Sequence, residues 1–276
     1  MTSTVFVLVS DEAYLYRAKK TIIDLRSTGN YKGPIVLINV NMRTINQNFL
    51  DFYNIIEKKF IPIEQKTDLV RKLNYSPFID TIDGREISKT NQWEKLHVMD
   101  TYFKQWDRVV FLDAGLRILT DVNDSLLSLD YKNKFLAPDD GGNYIKPNPG
   151  KLFETQVSHA NPSYMALLKQ EFPKLNDLKE PYFLNCVWIY DTAILDIVSK
   201  EEMMEGMLKY PICKTNEMAL MNLYIHFKYG LWTPFPKYSK NNKILFDWCE
   251  LNSPHKTSWR DYCVLKYPVS ITLEDT

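Results

Sequence analysis

Lys95 and Asp113 are the two residues of this chain whose types and surroundings most directly ask for chemistry. Between Trp93 and Trp106, at the 100° per residue of an α-helix, Leu96, Val98, Met99, Tyr102, Phe103 and Trp106 share one broad arc. Lys95 falls in the middle of that arc, whereas Glu94, His97, Thr101, Lys104 and Gln105 take the other side. A charge on the buried face of a helix is costly unless an anion meets it, or unless the long side chain escapes past a short apolar face. A turn later, Val109-Val110-Phe111-Leu112 reads as a buried strand that stops at Asp113-Ala114-Gly115. Ligands of open α/β sheets collect beyond the carboxyl ends of the strands. A lysine in need of an anion and an aspartate at a strand end thus belong to one local unit, with a glycine beside them that lets a ligand approach the backbone closely.

Other chemistries find little support. The cysteines Cys186, Cys213, Cys249 and Cys263 lie far apart without a CxxC pair, so they read as reduced thiols rather than a zinc site or a disulfide framework. No GxGxxG follows the first strand, and no Ser-His-Asp or Cys-His arrangement is legible from residue order. The histidines His97, His159 and His226 read as surface or satisfied core residues. Lys and Arg total 34 against 34 Asp and Glu, and a balanced charge argues against a nucleic-acid partner. No apolar run approaches the roughly 20 residues of a membrane span, and no leader pattern precedes Val5, so a cytoplasmic chain without a membrane span is expected.

The elements that must position Lys95 and Asp113 alternate between strand and helix. Thr4 to Val9 reads as a buried strand, with Ser10-Asp11-Glu12 offering a cap and first turn for a helix that ends near Gly29. Ile35 to Ile38 forms a second strand, a helix follows from about Asn46 to Lys58, and Phe60-Ile61-Pro62 a third short strand. This alternation is the mark of a mostly parallel sheet flanked by helices. The stretch from Glu64 to Thr90 loses periodicity, as functional loops do. Further on, Phe135-Leu136-Ala137 and Cys186 to Tyr190 read as strands, and Tyr164 to Phe172, Thr192 to Leu208 and Asn216 to Phe227 as helices. With 276 residues and no linker or repeat, a single domain is expected, with residues 1–122 as one half and 123–276 as the other.

The central unit resembles the nucleotide-sugar glycosyltransferases of the GT-A fold, in particular the glycogenin-like family 8. That family carries a helix with a lysine and then a strand of the form DRVVYLDADxLVLxDI. Here the residues are Asp107-Arg108-Val109-Val110-Phe111-Leu112-Asp113-Ala114-Gly115 and Ile118-Leu119-Thr120-Asp121-Val122. Val9-Ser10-Asp11 with Tyr14 is similar to the family's first-strand loop, which holds the nucleoside. Tyr182-Phe183-Leu184-Asn185-Cys186-Val187 is similar to its YFNxGV, with one residue inserted and Cys for Gly. Glu217 and Asn222 resemble the ends of its DQxxLN helix. The resemblance implies an α/β, Rossmann-like GT-A fold and a nucleotide-sugar donor, with UDP as the expected nucleotide. It also implies a saccharide or protein acceptor and transfer with retention; a homodimer is a further expectation.

On the same resemblance, Asp113 meets the ribose or a metal, Ala114 and Gly115 face the diphosphate, and Lys95 is its counter-charge. Tyr14 stacks on the base or simply packs. Glu217 and Asn185 are the candidate catalytic residues; Glu217 faces the anomeric carbon, or else it is a first-turn glutamate favoured by the helix dipole. His255-Lys256-Thr257-Ser258-Trp259 lies where the family has a His followed by Lys-Pro-Trp. It offers His255 as a metal ligand or Lys256 as a diphosphate contact, only one of them in register. The family's metal is Mn²⁺ or Mg²⁺, chelated by the second aspartate of a DxD motif. That aspartate is Gly115 here, so the motif is degenerate, and Asp139-Asp140 on a later loop is a candidate replacement. A non-catalytic nucleotide-sugar-binding or scaffold protein is the competing expectation. A nucleotidyltransferase is disfavoured because its glycine-rich N-terminal loop is missing.

Overall fold

A computed structural model of the protein describes residues 3–63, 89–140, 153, 156, 162–176, 179–210, 217–248 and 259–266. The chain opens with strand β1 (Thr4–Ser10), helix α1 (Leu15–Arg26) and strand β2 (Ile35–Asn39). Helix α2 (Gln47–Phe52) and strand β3 (Ile55–Lys58) complete the first half of the sheet. The expected helix to Lys58 stops at Phe52 instead. Asn54 takes φ 49°, which turns the chain, and β-branched Ile55 and Ile56 then pair with Ile35 and Val36 of β2. The third strand therefore lies before Phe60-Ile61-Pro62 rather than on it.

Strands β4 (Arg108–Leu112), β5 (Leu116–Ile118), β6 (Phe135–Ala137), β7 (Val187–Asp191), β8 (Trp232–Pro234), β9 (Ile244–Trp248) and β10 (Tyr262–Lys266) follow. The main sheet has seven strands in the order β3-β2-β1-β4-β7-β6-β8. β1 pairs in parallel with both β2 and β4, while β7 runs antiparallel to β4 and β6. Chain order reverses around β1, which makes the β1–β4 boundary the switch point of the sheet. Burial on both faces explains the uninterrupted apolar strands. Val5, Val7, Val109 and Phe111 enter one core cluster, and their alternates Phe6, Leu8, Val110 and Leu112 enter the other. Phe111 and Trp188 stack across β4 and β7 with centroids 3.8 Å apart.

A second sheet of three strands, β5-β10-β9, sits past the end of β4. Its β5–β10 pair is antiparallel and sets Lys266 opposite Leu116. Of the helices, α3 (Pro162–Glu171), α4 (Lys200–Lys209) and α5 (Glu217–Met221) lie in the second half. Helix α5 runs on as a wider π-helical segment, Asn222–Lys228. The expected helix from Thr192 to Leu208 is interrupted at Ser199, which caps α4 by accepting a hydrogen bond from the Glu202 N–H. No helix among the described residues is long and apolar enough to cross a membrane.

The stretch carrying Lys95 differs most from expectation. Instead of one α-helix it is two 3₁₀ stretches, Lys89–Met99 and Thr101–Gln105. Asp100 separates them: its backbone is extended and its side chain accepts the Tyr102 N–H at 2.8 Å, an alternative to the helical ladder. The three-residue turn aligns positions i and i+3, so His97 Nε2 comes within 2.9 Å of Glu94 Oε2. Both residues are therefore buried rather than on a solvated face. Glu94 also accepts the Ile63 N–H at 2.9 Å, and Phe60 stacks on the His97 ring. Lys95 lands where the periodicity placed it, directed at the sheet.

Candidate active site

Asp113 follows the last residue of β4 and is fixed from the neighbouring strand, its N–H donating to the Cys186 carbonyl at 2.8 Å. Two lysines flank its carboxylate. Lys95 Nζ lies 2.9 Å from Oδ1, and Lys266 Nζ lies 2.8 Å from Oδ2 and 3.3 Å from the Ala114 carbonyl. Lys95 also reaches Glu217 Oε1 at 3.2 Å, and the Asn185 side-chain amide donates to that same oxygen at 2.7 Å. Residues far apart in the chain thus form one partly buried constellation at the carboxyl end of the central strand, with Lys95 bridging the two carboxylates.

Each charge answers to its neighbours. Burial by itself pushes Lys95 down, but the charges of Asp113 and Glu217 and their hydrogen bonds more than reverse this, holding the ammonium well above the usual lysine range. Burial pushes Asp113 up, and Lys266 and Lys95 overcome it, leaving the carboxyl below the usual aspartate range. For Glu217 burial wins over Lys95 and Asn185, and the carboxyl is raised. Its Oε2 is buried without a hydrogen-bond partner among the described residues. A buried carboxylate with an unused oxygen beside a fixed ammonium can accept a proton or stabilise a nearby positive centre. The Cys186 thiol, pushed up to about 12 by burial, is no nucleophile.

Asn185 and Glu217 are held by backbone hydrogen bonds through a neighbour. Asn222, fully buried, accepts the Phe183 N–H at 2.9 Å and donates to the carbonyls of Phe183 (3.0 Å) and Met218 (2.9 Å). Those bonds tie helix α5 to the segment that delivers Asn185, at the point where α winding gives way to π winding, a change often found at functional sites. Replacing Asn222 by Ala strands several buried backbone groups. We expect a loss of about 1–3 kcal/mol in thermal or denaturant unfolding, with a parallel loss of whatever activity depends on Glu217.

The first-strand loop stands at the same edge of the sheet. Val9 and Ser10 end β1, and the Ser10 hydroxyl donates to the Asp11 carbonyl at 3.0 Å. Asp11 accepts the Tyr14 N–H at 3.0 Å and the Asn91 side-chain amide at 2.8 Å. Tyr14 is the N-cap of α1 rather than a residue one turn into it, because Asp11 closes a turn that delays the helix to Leu15. Asn91, four residues before Lys95, links this loop to the lysine stretch. His255, Lys256 and His159 lie outside the described residues.

Residue order concealed two members. Lys266 is brought in by the β5–β10 pairing, and the one available signal was Lys266-Tyr267-Pro268, a lysine closely followed by proline. Arg17, in the first turn of α1 and 2% exposed, packs its guanidinium against Gly115. Gly115 has φ 93°, and a Cβ there would lie 2.4 Å from Arg17 Nε and 2.5 Å from Nη2. A side chain at this position would be both strained and obstructed. As for a metal, Asp113 has both oxygens engaged by lysines and position 115 has no carboxylate. No group of three or more His, Cys, Asp or Glu among the described residues, Asp139 and Asp140 included, is arranged to hold an ion.

No protein-family model matches the sequence, and no curated protein does. Solved structures do. The galactosyltransferase LgtC in complex with donor and acceptor sugar analogs aligns with TM-score 0.56 and 14% identity, over 95% of this chain and 86% of that one. The mannosyltransferase Ktr4p from S. cerevisiae aligns with TM-score 0.52 and 12% identity, over 92% of this chain and 74% of that one. The WbbM bifunctional glycosyltransferase aligns with TM-score 0.56 and 15% identity, over 96% of this chain and 45% of that one, so this chain spans under half its length. At such identities the likeness is one of fold, and the fold is that of the GT-A glycosyltransferases.

Proposed function

We propose that the protein is a glycosyltransferase that moves a sugar from a nucleotide-diphosphate sugar, with UDP as the nucleotide, to an acceptor hydroxyl. The observation that carries this reading is the largely buried set Lys95, Lys266, Asp113 and Glu217 at the switch point of a GT-A sheet. In the reaction the bond from the anomeric carbon to the β-phosphate oxygen breaks, and its electron pair leaves with the nucleoside diphosphate. A bond forms from the acceptor oxygen to the anomeric carbon, and the acceptor proton passes to the departing phosphate. Negative charge grows on that phosphate, so fixed cations near it bind the transition state more tightly than the ground state.

Roles follow from position. Lys95 and Lys266 face the diphosphate, and Asp113 orients both of them and accepts a ribose hydroxyl. Glu217, aligned by Asn185, faces the anomeric carbon, where its unused oxygen opposes the positive charge that develops there; this arrangement accommodates retention. Val9, Ser10, Asp11 and Tyr14 hold the nucleoside at the end of β1. Residues 1–122 then carry most of the donor site, and residues 123–276 the acceptor side with Glu217. LgtC was solved with donor and acceptor sugar analogs, which supports a donor of this class here.

A panel of UDP- and GDP-sugars, followed by release of the nucleoside diphosphate with and without Mn²⁺, Mg²⁺ and EDTA, tests the reading. Turnover of at least one donor is expected. Binding of a donor without turnover of any would favour a non-catalytic nucleotide-sugar-binding protein, the reading to which the missing carboxylate at Gly115 points.

A further inference from the structure

We infer that this protein has exchanged the divalent cation of a nucleotide-sugar site for fixed side-chain cations, with the Arg17 guanidinium standing where the second metal-binding carboxylate would project, so that it handles its donor diphosphate without a metal. The inference rests on the donor reading above. Its basis is the geometry of three positive groups around one turn. Lys95 Nζ sits between Asp113 Oδ1 at 2.9 Å and Glu217 Oε1 at 3.2 Å, the place a cation shared by two carboxylates would take. Lys266 Nζ holds the other Asp113 oxygen at 2.8 Å and the Ala114 carbonyl at 3.3 Å. Beneath the same turn the Arg17 guanidinium fills the space in front of Gly115, with Cζ 2.8 Å from where a Cβ would be.

Lys95 and Lys266 already hold both oxygens of the Asp113 carboxylate, and the Arg17 guanidinium fills the space beside Gly115, an arrangement that leaves a divalent metal few free oxygens and suits a diphosphate. Arg17 is 2% exposed, and a charge so placed acts across a short, poorly screened distance. Arg17 is held in the first turn of α1, a 12-residue helix that starts at the sheet's carboxyl edge. Gly115 completes the exchange. Its φ of 93° and lack of a side chain leave room for the guanidinium, whereas an aspartate would be strained there and would displace it. A guanidinium cannot lose its charge in a protein and needs no refilling from solution, which a weakly held metal would.

Calorimetry of UDP, GDP and the matching monophosphates, on full-length protein treated with EDTA and again with added Mn²⁺ or Mg²⁺, decides the matter. We expect one diphosphate to bind equally well in EDTA and in metal. Arg17→Met should weaken it about 10- to 100-fold, the monophosphate much less, and Arg17→Lys should restore most of the loss. Diphosphate binding that appears only on adding metal overturns the inference and leaves the donor reading standing. An equal loss for mono- and diphosphate in Arg17→Met would make Arg17 a structural residue only, which also overturns it. Failure to bind either diphosphate under any condition overturns the donor reading, and the inference with it. Should Arg17→Met fail to fold, the comparison of EDTA with metal on the unaltered protein remains decisive.

Discussion

Lys95→Met is expected to cost about 3–5 kcal/mol of stability near neutral pH and to leave donor turnover undetectable. The substitution nearly preserves the length of the apolar stem but deletes the ammonium that meets both Asp113 and Glu217. Asp113 keeps Lys266, so the larger stranded charge is Glu217, 1% exposed, which loses its ammonium partner and keeps the Asn185 amide. The signs of the pH dependence follow from the two carboxyls. The lowered Asp113 contributes stability that is present above the unfolded carboxyl value, about 4, and is lost as pH falls through its folded value. The raised Glu217 contributes stability that is present below that unfolded value and is lost as pH rises through its higher folded one. Without Lys95 the Glu217 carboxyl should rise further, so the deficit of the variant should shrink on acidification. Urea unfolding of both proteins between about pH 4 and pH 8 measures it. A deficit that grew in acid would contradict the placement of Lys95 on Glu217.

The second large effect separates the two carboxylates by role. Asp113→Ala should abolish donor binding, because it removes the anchor of Lys95 and Lys266 together with the acceptor for a ribose hydroxyl. Glu217→Ala should leave donor binding close to intact while lowering kcat about 10²–10³-fold, the cost of one preorganised electrostatic partner at a reacting centre. Titration with a nucleoside diphosphate, alongside single-turnover transfer, distinguishes the two. Equal loss of binding in both variants would remove Glu217 from the anomeric carbon and make it only a support for Lys95.

Glu217 shows why two accounts of one residue need not compete. It is a first-turn glutamate, where the helix dipole favours an anion, and it also bonds to Lys95 and Asn185. Its sequence setting could speak only to the first, since the partners lie 122 and 32 positions away along the chain.

Much of the fold is written locally. The apolar runs Val5 to Val9, Ile35 to Ile38 and Val109 to Leu112 mark strands buried on both faces, as a mostly parallel sheet flanked by helices provides, and the polar stop at Asp113 marks the edge where ligands gather. Lys95 inside an apolar arc required an anion, and spacing alone pointed it inward. These signals survive because they depend on side chains within a turn or two of one another. Winding was less legible. The 3₁₀ form of the lysine stretch and the π turn after Asn222 depend on side-chain hydrogen bonds, from Asp100 to Tyr102 and from Asn222 to Phe183 and Met218, that periodicity does not encode. What only the tertiary structure decided is the composition of the charge cluster. Lys266 reaches Asp113 across 153 positions because β10 pairs with β5. Arg17 reaches Gly115 because α1 begins at the edge where β4 ends. Short-range pattern determines which residues must be buried and near a strand end. Which opposite charge meets them there is set by strand pairing between distant segments, and no local pattern carries that information.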